Sequence, residues 1–297
     1  MPIDLTGIQN VGEFYSHHYL DALLENDLKG LFTKWRLSDD NEDEDPTTDT
    51  PDKRFNRQAA DYFKAKSGAL NQQRPANRYR VSHALHVQLL EALGFPYEFG
   101  VQYLLDGSAV PTLCQLKRDG RSYLAIVETT FTDPDESPLE NRLLPAQYPP
   151  HDAQTAYDRP SDPWEDVLGE LFRVDEPPRW ILLLAGRFIY LLDRAKWGQG
   201  QYLLFDLDEI YGRRQRATLR AVAALLSRDA LAPDDGVPLH DTLDEQSHKH
   251  AYGVSTDLKY GVRQAVELLA NEYVWYQRNI GKQALFTDEG LADALTR

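Results

Sequence analysis

Three short apolar segments, separated by Asp-Gly turns, follow a helical segment that ends at Gly94, and this order constrains the fold most. Apolar positions recur at three- and four-residue steps before Gly94, which is typical of a helix closed by a glycine cap. Residues 99–105, 110–116 and 123–131 have the composition of strands, and the turns between them favour hairpins. Hairpin-linked strands beside helices predict an α/β fold, with a mixed sheet and helices packed on its faces.

The remaining segments continue this alternation of strands and helices. The other predicted strands are residues 180–184, 188–192 and 201–205. The other predicted helices are residues 8–36, 56–69, 163–172, 216–226 and 245–276. Residues 38–53 are rich in acids and proline, and this composition predicts a loop that contributes nothing to a core.

The chain is strongly acidic, with a net charge of −15 and an acidic run at residues 39–45. Phosphate backbones are bound mainly by Lys and Arg, so the chain as a whole is a poor candidate for strong DNA binding. Cys114 is the single cysteine and cannot form an internal disulfide, which fits a reducing cytoplasm. No apolar run approaches the roughly 20 residues that span a bilayer, so we expect a cytoplasmic protein with no membrane contact.

The predicted hairpin carries part of a nuclease signature. Restriction-endonuclease-like enzymes place one acid on a strand and an E-x-K triplet on its neighbour, so that the acids hold Mg²⁺ and the lysine helps to position water. The corresponding positions here are Thr112, Glu128 and Thr130. We therefore predict a degenerate restriction-endonuclease-like domain with no catalytic residues and no metal. Two alternatives stay open: a rearranged site that recruits Glu98 or Asp106, and a different fold in which Glu128 is an exposed strand-end residue.

One group of basic residues stands out in this acidic chain. Its members are Arg194, Lys196, Arg213, Arg214, Arg216 and Arg220. These side chains could contact DNA phosphates or a protein partner. They could equally form a solvated basic face that pairs with the acidic run, and the sequence does not decide between the two.

Three segments resemble a known family. They are the opening IQNVGEFYSHHYLDALL, residues 179–214, which begin RWILLLAGRF, and residues 244–272, which begin DEQSHKHAYG. They are similar to the N-terminal region of large class I adenine-specific DNA methyltransferases. These enzymes are type IIG-like and occur in restriction–modification and phage-defence systems such as DISARM and BREX.

The resemblance implies a non-catalytic N-terminal domain with a scaffold or regulatory role. It implies that S-adenosylmethionine binds to a methyltransferase domain downstream, that double-stranded DNA is met through the parent protein, and that defence proteins are further partners. The family's cofactor and target-base motifs match no position here, so no cofactor is expected in this chain. The alternatives are a Mg²⁺-dependent nuclease with a rearranged site and an acidic protein-interaction module.

The expected organisation has four parts. They are a helical N-terminal segment at residues 1–37, an acidic flexible loop at 38–55, a degenerate nuclease-like α/β domain at 56–215, and a helical extension at 216–297. Because the last residues fall within or just before a helix, we expect the extension to lead into the methyltransferase domain.

Overall fold

The computed structural model describes residues 4–16, 19–20, 24–39, 49–148, 158 and 160–281. The chain divides into two compact units, residues 1–245 and residues 246–297. The acidic run at residues 39–45 lies outside the described residues, except for the backbone of its first member. The four-part organisation expected from the sequence stays a prediction.

A six-stranded mixed sheet forms the centre of the first unit. Its strands are β1 (Ile8–Val11), β4 (Cys114–Arg118), β5 (Arg121–Glu128), β6 (Trp180–Ala185), β7 (Phe188–Asp193) and β8 (Tyr202–Asp206), in the spatial order β1-β8-β7-β6-β5-β4. The β5–β6 pair is parallel and all other neighbours are antiparallel. Strands β2 (Gly100–Tyr103) and β3 (Ala109–Thr112) form a separate antiparallel hairpin.

Helices surround this sheet. In the first unit they are α1 (Leu24–Asp39), α2 (Pro51–Arg57), α3 (Ala59–Leu70), α4 (Pro75–Ala92), α5 (Trp164–Leu171), α6 (Arg194–Trp197), α7 (Leu207–Arg213), α8 (Arg216–Leu226) and α9 (Arg228–Leu231). The last helix, α10 (Leu239–Asn279), begins in the first unit and continues into the second. Within the described residues, no helix combines the length and the low polarity that crossing a lipid bilayer requires.

The central strands are buried on both faces because apolar side chains occupy every position of β6 and the five consecutive positions 123–127 of β5. Successive side chains of a strand point to opposite faces. Leu182 and Leu184 therefore join one apolar cluster, which also contains side chains of α2, α3, α4 and α8. Ile181 and Leu183 join the other cluster, which contains α5. Continuous apolar runs of this kind are typical of strands covered by helices on both sides.

The predicted α/β architecture with a mixed sheet, flanking helices and a long C-terminal helix is confirmed. Helix α4 precedes the β4–β5 hairpin, and α5 crosses over from β5 to the parallel strand β6. The final helix begins at Leu239, six residues before the predicted start at 245.

Three predicted segments were wrong in detail. Residues 38–53 were expected to be a loop outside the core, but α2 begins at Pro51, which is buried. Residues 8–36 were expected to be helical, but residues 8–11 form strand β1 and pair with β8. Gly7 and Gly12 bracket this strand with φ angles of 91° and 63°, a conformation that glycine adopts readily and other residues adopt rarely. Residues 110–116 were expected to be one strand, but they divide at Leu113 between β3 and β4, which belong to different sheets.

Candidate functional site

The carboxylate of Glu128 lies buried at the end of β5, where only 3% of the residue is exposed. Three side chains of α4 donate hydrogen bonds to it. The hydroxyl of Tyr79 and Nδ1 of His83 contact Oε1 at 2.8 Å and 2.7 Å, and Nδ1 of His86 contacts Oε2 at 2.8 Å. The donors are four and three residues apart, which places them on one face of the helix.

The hydrogen-bond partners of His86 fix its tautomer. The backbone N–H of Gly186 donates to Nε2 of His86 at 3.0 Å. This nitrogen must therefore carry a lone pair, and the ring proton resides on Nδ1, from which it is donated to Glu128. Because His86 is almost completely buried and both its nitrogens are engaged, it acts as a neutral link between α4, β5 and the β6–β7 turn.

One ring nitrogen of His83 is hydrogen-bonded, and the other has no hydrogen-bond partner among the described residues. Its Nδ1 donates to Glu128, which leaves Nε2 on the opposite side of the ring. The side chain is 29% exposed, whereas that of His86 is 1% exposed. The same carboxylate therefore holds one structural histidine and one histidine that is accessible to solvent or to a ligand.

Opposing effects set the ionisation of this cluster. Burial by itself raises the pKa of Glu128, but the hydrogen bonds from His83 and His86 outweigh it and bring the pKa to about 2. The hydrogen bond to Glu128 raises the pKa of His83 above its ordinary value, although burial partly opposes this. Burial and the neighbouring carboxylate raise the pKa of the Tyr79 hydroxyl. Glu128 is therefore ionised at neutral pH, and Tyr79 keeps its proton.

These pKa directions predict a defined pH window for the stabilisation that the cluster provides. The lowered pKa of Glu128 gives stabilisation that is complete above the unfolded-state pKa of roughly 4.3 and is lost as the pH falls towards 2. The raised pKa of His83 gives stabilisation that is complete below roughly pH 6.5 and is lost as the pH rises through the folded-state value. The difference in unfolding free energy between the wild type and Glu128→Gln should therefore be largest between about pH 4.5 and 6.5.

Urea unfolding of both proteins from about pH 3 to pH 9 measures this difference directly. Other carboxylates titrate in both proteins, so their contributions to the free energy of unfolding cancel in the difference. A difference that stays constant across the whole range would contradict the proton linkage between Glu128 and His83.

A cavity of about 420 Å³ opens beside the cluster. Thr112 and Glu128 both line it, so two of the three nuclease-signature positions lie together as the sequence predicts. The hydroxyl oxygen of Thr112 is buried and has no hydrogen-bond partner among the described residues. Thr130, the third position, is half-buried and does not line the cavity.

No metal centre is visible in the part of the chain that the structure describes, where no three His, Cys, Asp or Glu side chains are placed to hold an ion. Glu98 and Asp106, which a rearranged site would need, are exposed and do not line the cavity. Glu128 already accepts three hydrogen bonds, and an ionised carboxylate offers about four acceptor positions. Glu128 is thus a buried hydrogen-bond acceptor, and the expectation of an exposed strand-end residue was wrong.

Sequence reasoning missed Tyr79, His83 and His86. A signal was present, because a Tyr-x₃-His-x₂-His pattern on a predicted helix places three polar side chains on one face. If this face packed against an apolar surface, its polar side chains would have no hydrogen-bond partners. It must therefore pack against an acid or another hydrogen-bond acceptor. The sequence does not show that this acid is Glu128, because 42 residues separate it from His86.

The structure places the predicted basic residues at opposite ends of β7 and β8. Arg194 and Lys196 follow the end of β7, whereas the residues from 213 onward follow α7, which begins at the other end of β8. Lys196 donates to the Phe14 carbonyl at 2.6 Å and pairs with Asp244 at 2.5 Å.

The remaining basic residues differ in the number of contacts that their side chains make with the rest of the protein. Arg220 lies 4.0 Å from the centre of the Phe32 ring and 3.6 Å from Asp52. Arg213 is exposed and pairs with Glu209. Arg194, Arg214 and Arg216 are exposed, and their contact with DNA or a partner stays a prediction.

Comparison of the chain with protein-family models, curated proteins and solved structures finds no match in any of the three. The resemblance of residues 8–24, 179–214 and 244–272 to adenine methyltransferases therefore stays a prediction. Function is inferred below from the chemistry of the described residues.

Proposed function

We propose that this chain is a non-catalytic scaffold or regulatory domain of a DNA N6-adenine methyltransferase from a bacterial restriction–modification or anti-phage defence system. The observation that carries the non-catalytic part is the engagement of Glu128 by Tyr79, His83 and His86. S-adenosylmethionine is bound downstream in the parent enzyme, and a cytoplasmic location follows from that role.

Metal-dependent cleavage requires at least two acidic groups on one ion and a cation that positions water. Thr112 stands at the position of the first acid and Thr130 at that of the lysine, while Glu128 already accepts three hydrogen bonds from protein donors. A threonine hydroxyl is a neutral and weak ligand for Mg²⁺. Two of the signature positions, Thr112 and Glu128, therefore line the cavity, but their side chains do not provide the ligands that metal-dependent cleavage requires.

The long helix of the second unit supports a partner-contacting role. Its apolar side chains recur at three- and four-residue steps and are more than half exposed at Leu258, Val262 and Leu269. A continuous apolar stripe on a helix is typical of a face that packs against another protein surface. In our proposal the methyltransferase body is that surface.

The chain by itself should neither cut nor methylate DNA. Supercoiled plasmid incubated with residues 1–297 and Mg²⁺ or Mn²⁺ should stay supercoiled on an agarose gel, and tritiated S-adenosylmethionine should transfer no label to it. Cleavage that persists in Glu128→Ala would indicate a contaminating nuclease, and the assay would be repeated on repurified protein. Cleavage that disappears in Glu128→Ala would overturn the non-catalytic assignment.

The methyltransferase assignment needs the native protein. A chromosomally tagged copy purified from its own host should transfer label from S-adenosylmethionine to adenine N6 in duplex DNA. A variant in which both Leu258 and Leu269 are replaced with lysine should have weaker methyltransferase activity. The free energy of unfolding of the sheet-containing unit, measured in urea, should stay unchanged. A native protein that transfers no methyl group to any DNA would overturn the assignment.

A further inference from the structure

The cavity beside Glu128 has an unusual charge for this chain. Among the described residues that line it, Glu128 is the one acid, although the whole protein carries a net charge of −15. The negative charge of Glu128 is shared among its three donors. The described lining therefore lacks the excess of acids that the whole chain carries, which favours an anion there.

A guanidinium and an imidazole lie at this cavity. Arg80 follows Tyr79 on α4, is exposed, and has no ion pair or side-chain hydrogen bond within the described residues. His83 presents the Nε2 edge that Glu128 leaves open, and the hydrogen bond to Glu128 raises the pKa of its ring. An Arg guanidinium and an imidazolium are typical donors to phosphate oxygens.

A third polar group lies deeper. The Oγ1 atom of Thr112 is buried, and the residue is only 1% exposed. Buried hydroxyls nearly always have a partner, because an unsatisfied one costs on the order of 1–3 kcal/mol. This hydroxyl lies behind the surface of the cavity, where its Oγ1 is shielded from solvent.

Aromatic side chains form the mouth of the cavity. Tyr97 and Phe99 line it, and each is 41% exposed, which is high for large apolar residues. The Tyr97 ring packs edge-on against His83, with centroids 5.6 Å apart. Exposed aromatic faces beside a cationic group are typical of sites where a planar ring stacks while its charged substituent is neutralised.

We propose that this cavity binds a planar heteroaromatic ring that carries a phosphate group, which is the chemistry of a nucleoside monophosphate. The ring stacks on Phe99 and Tyr97, and the phosphate contacts Arg80 and His83. The volume of about 420 Å³ falls within the range of roughly 300–1,000 Å³ typical of small-molecule sites. The proposal concerns the sheet unit alone and does not depend on the methyltransferase assignment.

Isothermal titration calorimetry on the full chain tests the proposal, with 2′-deoxyadenosine 5′-monophosphate as the probe. Deoxyadenosine and inorganic phosphate, which each carry one half of the probe, should bind more weakly than the intact nucleotide. Arg80→Ala should weaken binding of the nucleotide about 10-fold or more, because it removes a charge-assisted hydrogen bond. Phe99→Ala should weaken it about 10-fold, because it removes a stacking surface.

Two matched variants control for general effects. Arg78→Ala changes an arginine of the same helix that pairs with Asp133 and does not line the cavity. Tyr103→Ala changes an exposed aromatic residue on β2, outside the cavity. Both should bind the nucleotide with wild-type affinity. Arg80 and Phe99 are themselves exposed, so their variants are expected to fold, which circular dichroism checks.

A competition experiment distinguishes a free nucleotide from the 5′ end of a nucleic-acid strand as the natural ligand. A short single-stranded oligonucleotide with a 5′-phosphate competes with the monophosphate for the cavity. If the oligonucleotide binds more tightly than the monophosphate, the ligand is a strand end; if it binds more weakly, the ligand is a free nucleotide, and either result supports the proposed chemistry. No binding at millimolar nucleotide would overturn the proposal. Binding that is equal in the wild type, Arg80→Ala and Phe99→Ala would overturn it as well.

Discussion

Replacing Glu128 with alanine is expected to lower the free energy of unfolding by about 3–5 kcal/mol, which is the usual result of removing one partner from a buried charged group. The substitution leaves the Tyr79 hydroxyl and the Nδ1 protons of His83 and His86 without their acceptor, and both Tyr79 and His86 are buried. It also removes the connection between α4 and the end of β5. Urea unfolding followed by tryptophan fluorescence measures the change.

Two further variants separate this effect from a general loss of charge. Glu136→Ala removes an acid that is exposed, and its effect should stay within about 0.5 kcal/mol. Glu128→Gln keeps one carbonyl oxygen but turns an NH₂ group towards existing donors, so its effect should lie between those of the other two. A loss of less than about 1 kcal/mol in Glu128→Ala would show that the cluster does not stabilise the fold.

Replacing Gly186 with alanine is expected to cost about 2–4 kcal/mol, because strain and overpacking combine at this position. Gly186 has a φ of 64°, and a Cβ atom there would lie 2.5 Å from the Phe131 ring and 2.8 Å from the Phe131 backbone. Backbone cannot move aside as a flexible side chain can. The same residue donates its N–H to His86, so a shift of the turn also weakens the Glu128 cluster.

Gly107 provides the matched control for this substitution. Its φ of 86° is equally restrictive, but an added Cβ would meet no atom within 4 Å. Gly107→Ala should therefore cost only the conformational strain, about 1 kcal/mol. Equal losses in the two alanine variants, measured by the same unfolding experiment, would show that the contact with Phe131 contributes nothing.

Together these residues connect the Glu128 cluster to the surrounding elements of the sheet unit. The side chains that surround Glu128 come from α4, and the turn that holds His86 joins β6 to β7. A carboxylate that served Mg²⁺ would need free oxygen atoms, whereas here the oxygens hold three elements of the structure together. The unoccupied hydrogen-bonding capacity is found at Nε2 of His83 and Oγ1 of Thr112, beside the cavity.

Local patterns predicted most of the elements correctly. Strand β6 was predicted from its apolar run, and α8 was predicted with the bounds that it has. Thr112 and Glu128, which the sequence assigned to two positions of one signature, both line one cavity, although they belong to different sheets. Strand β1 was missed because its helical-looking spacing is overridden by pairing with β8, a contact that spans about two thirds of the chain.

The site was predicted less completely than the fold. The sequence identified Glu128 and the absence of a second acid and a lysine, since residue type decides whether a metal can be held. It grouped Lys196 with Arg213, although the sheet separates them. The sequence did not connect Glu128 with His83 and His86, because tertiary packing, and not spacing along the chain, decides which donors lie beside a buried acid.

The amino-acid sequence by itself determined the alternation of helices and strands, because it depends on residue type and local spacing, and it led us to expect no nuclease ligands at residues 112 and 130. Only the tertiary structure decided that α4 brings two histidines and a tyrosine to the end of β5. Hydrogen bonds in a buried site depend on distances of about 3 Å between atoms far apart in sequence, and those distances are set by packing of the whole sheet unit.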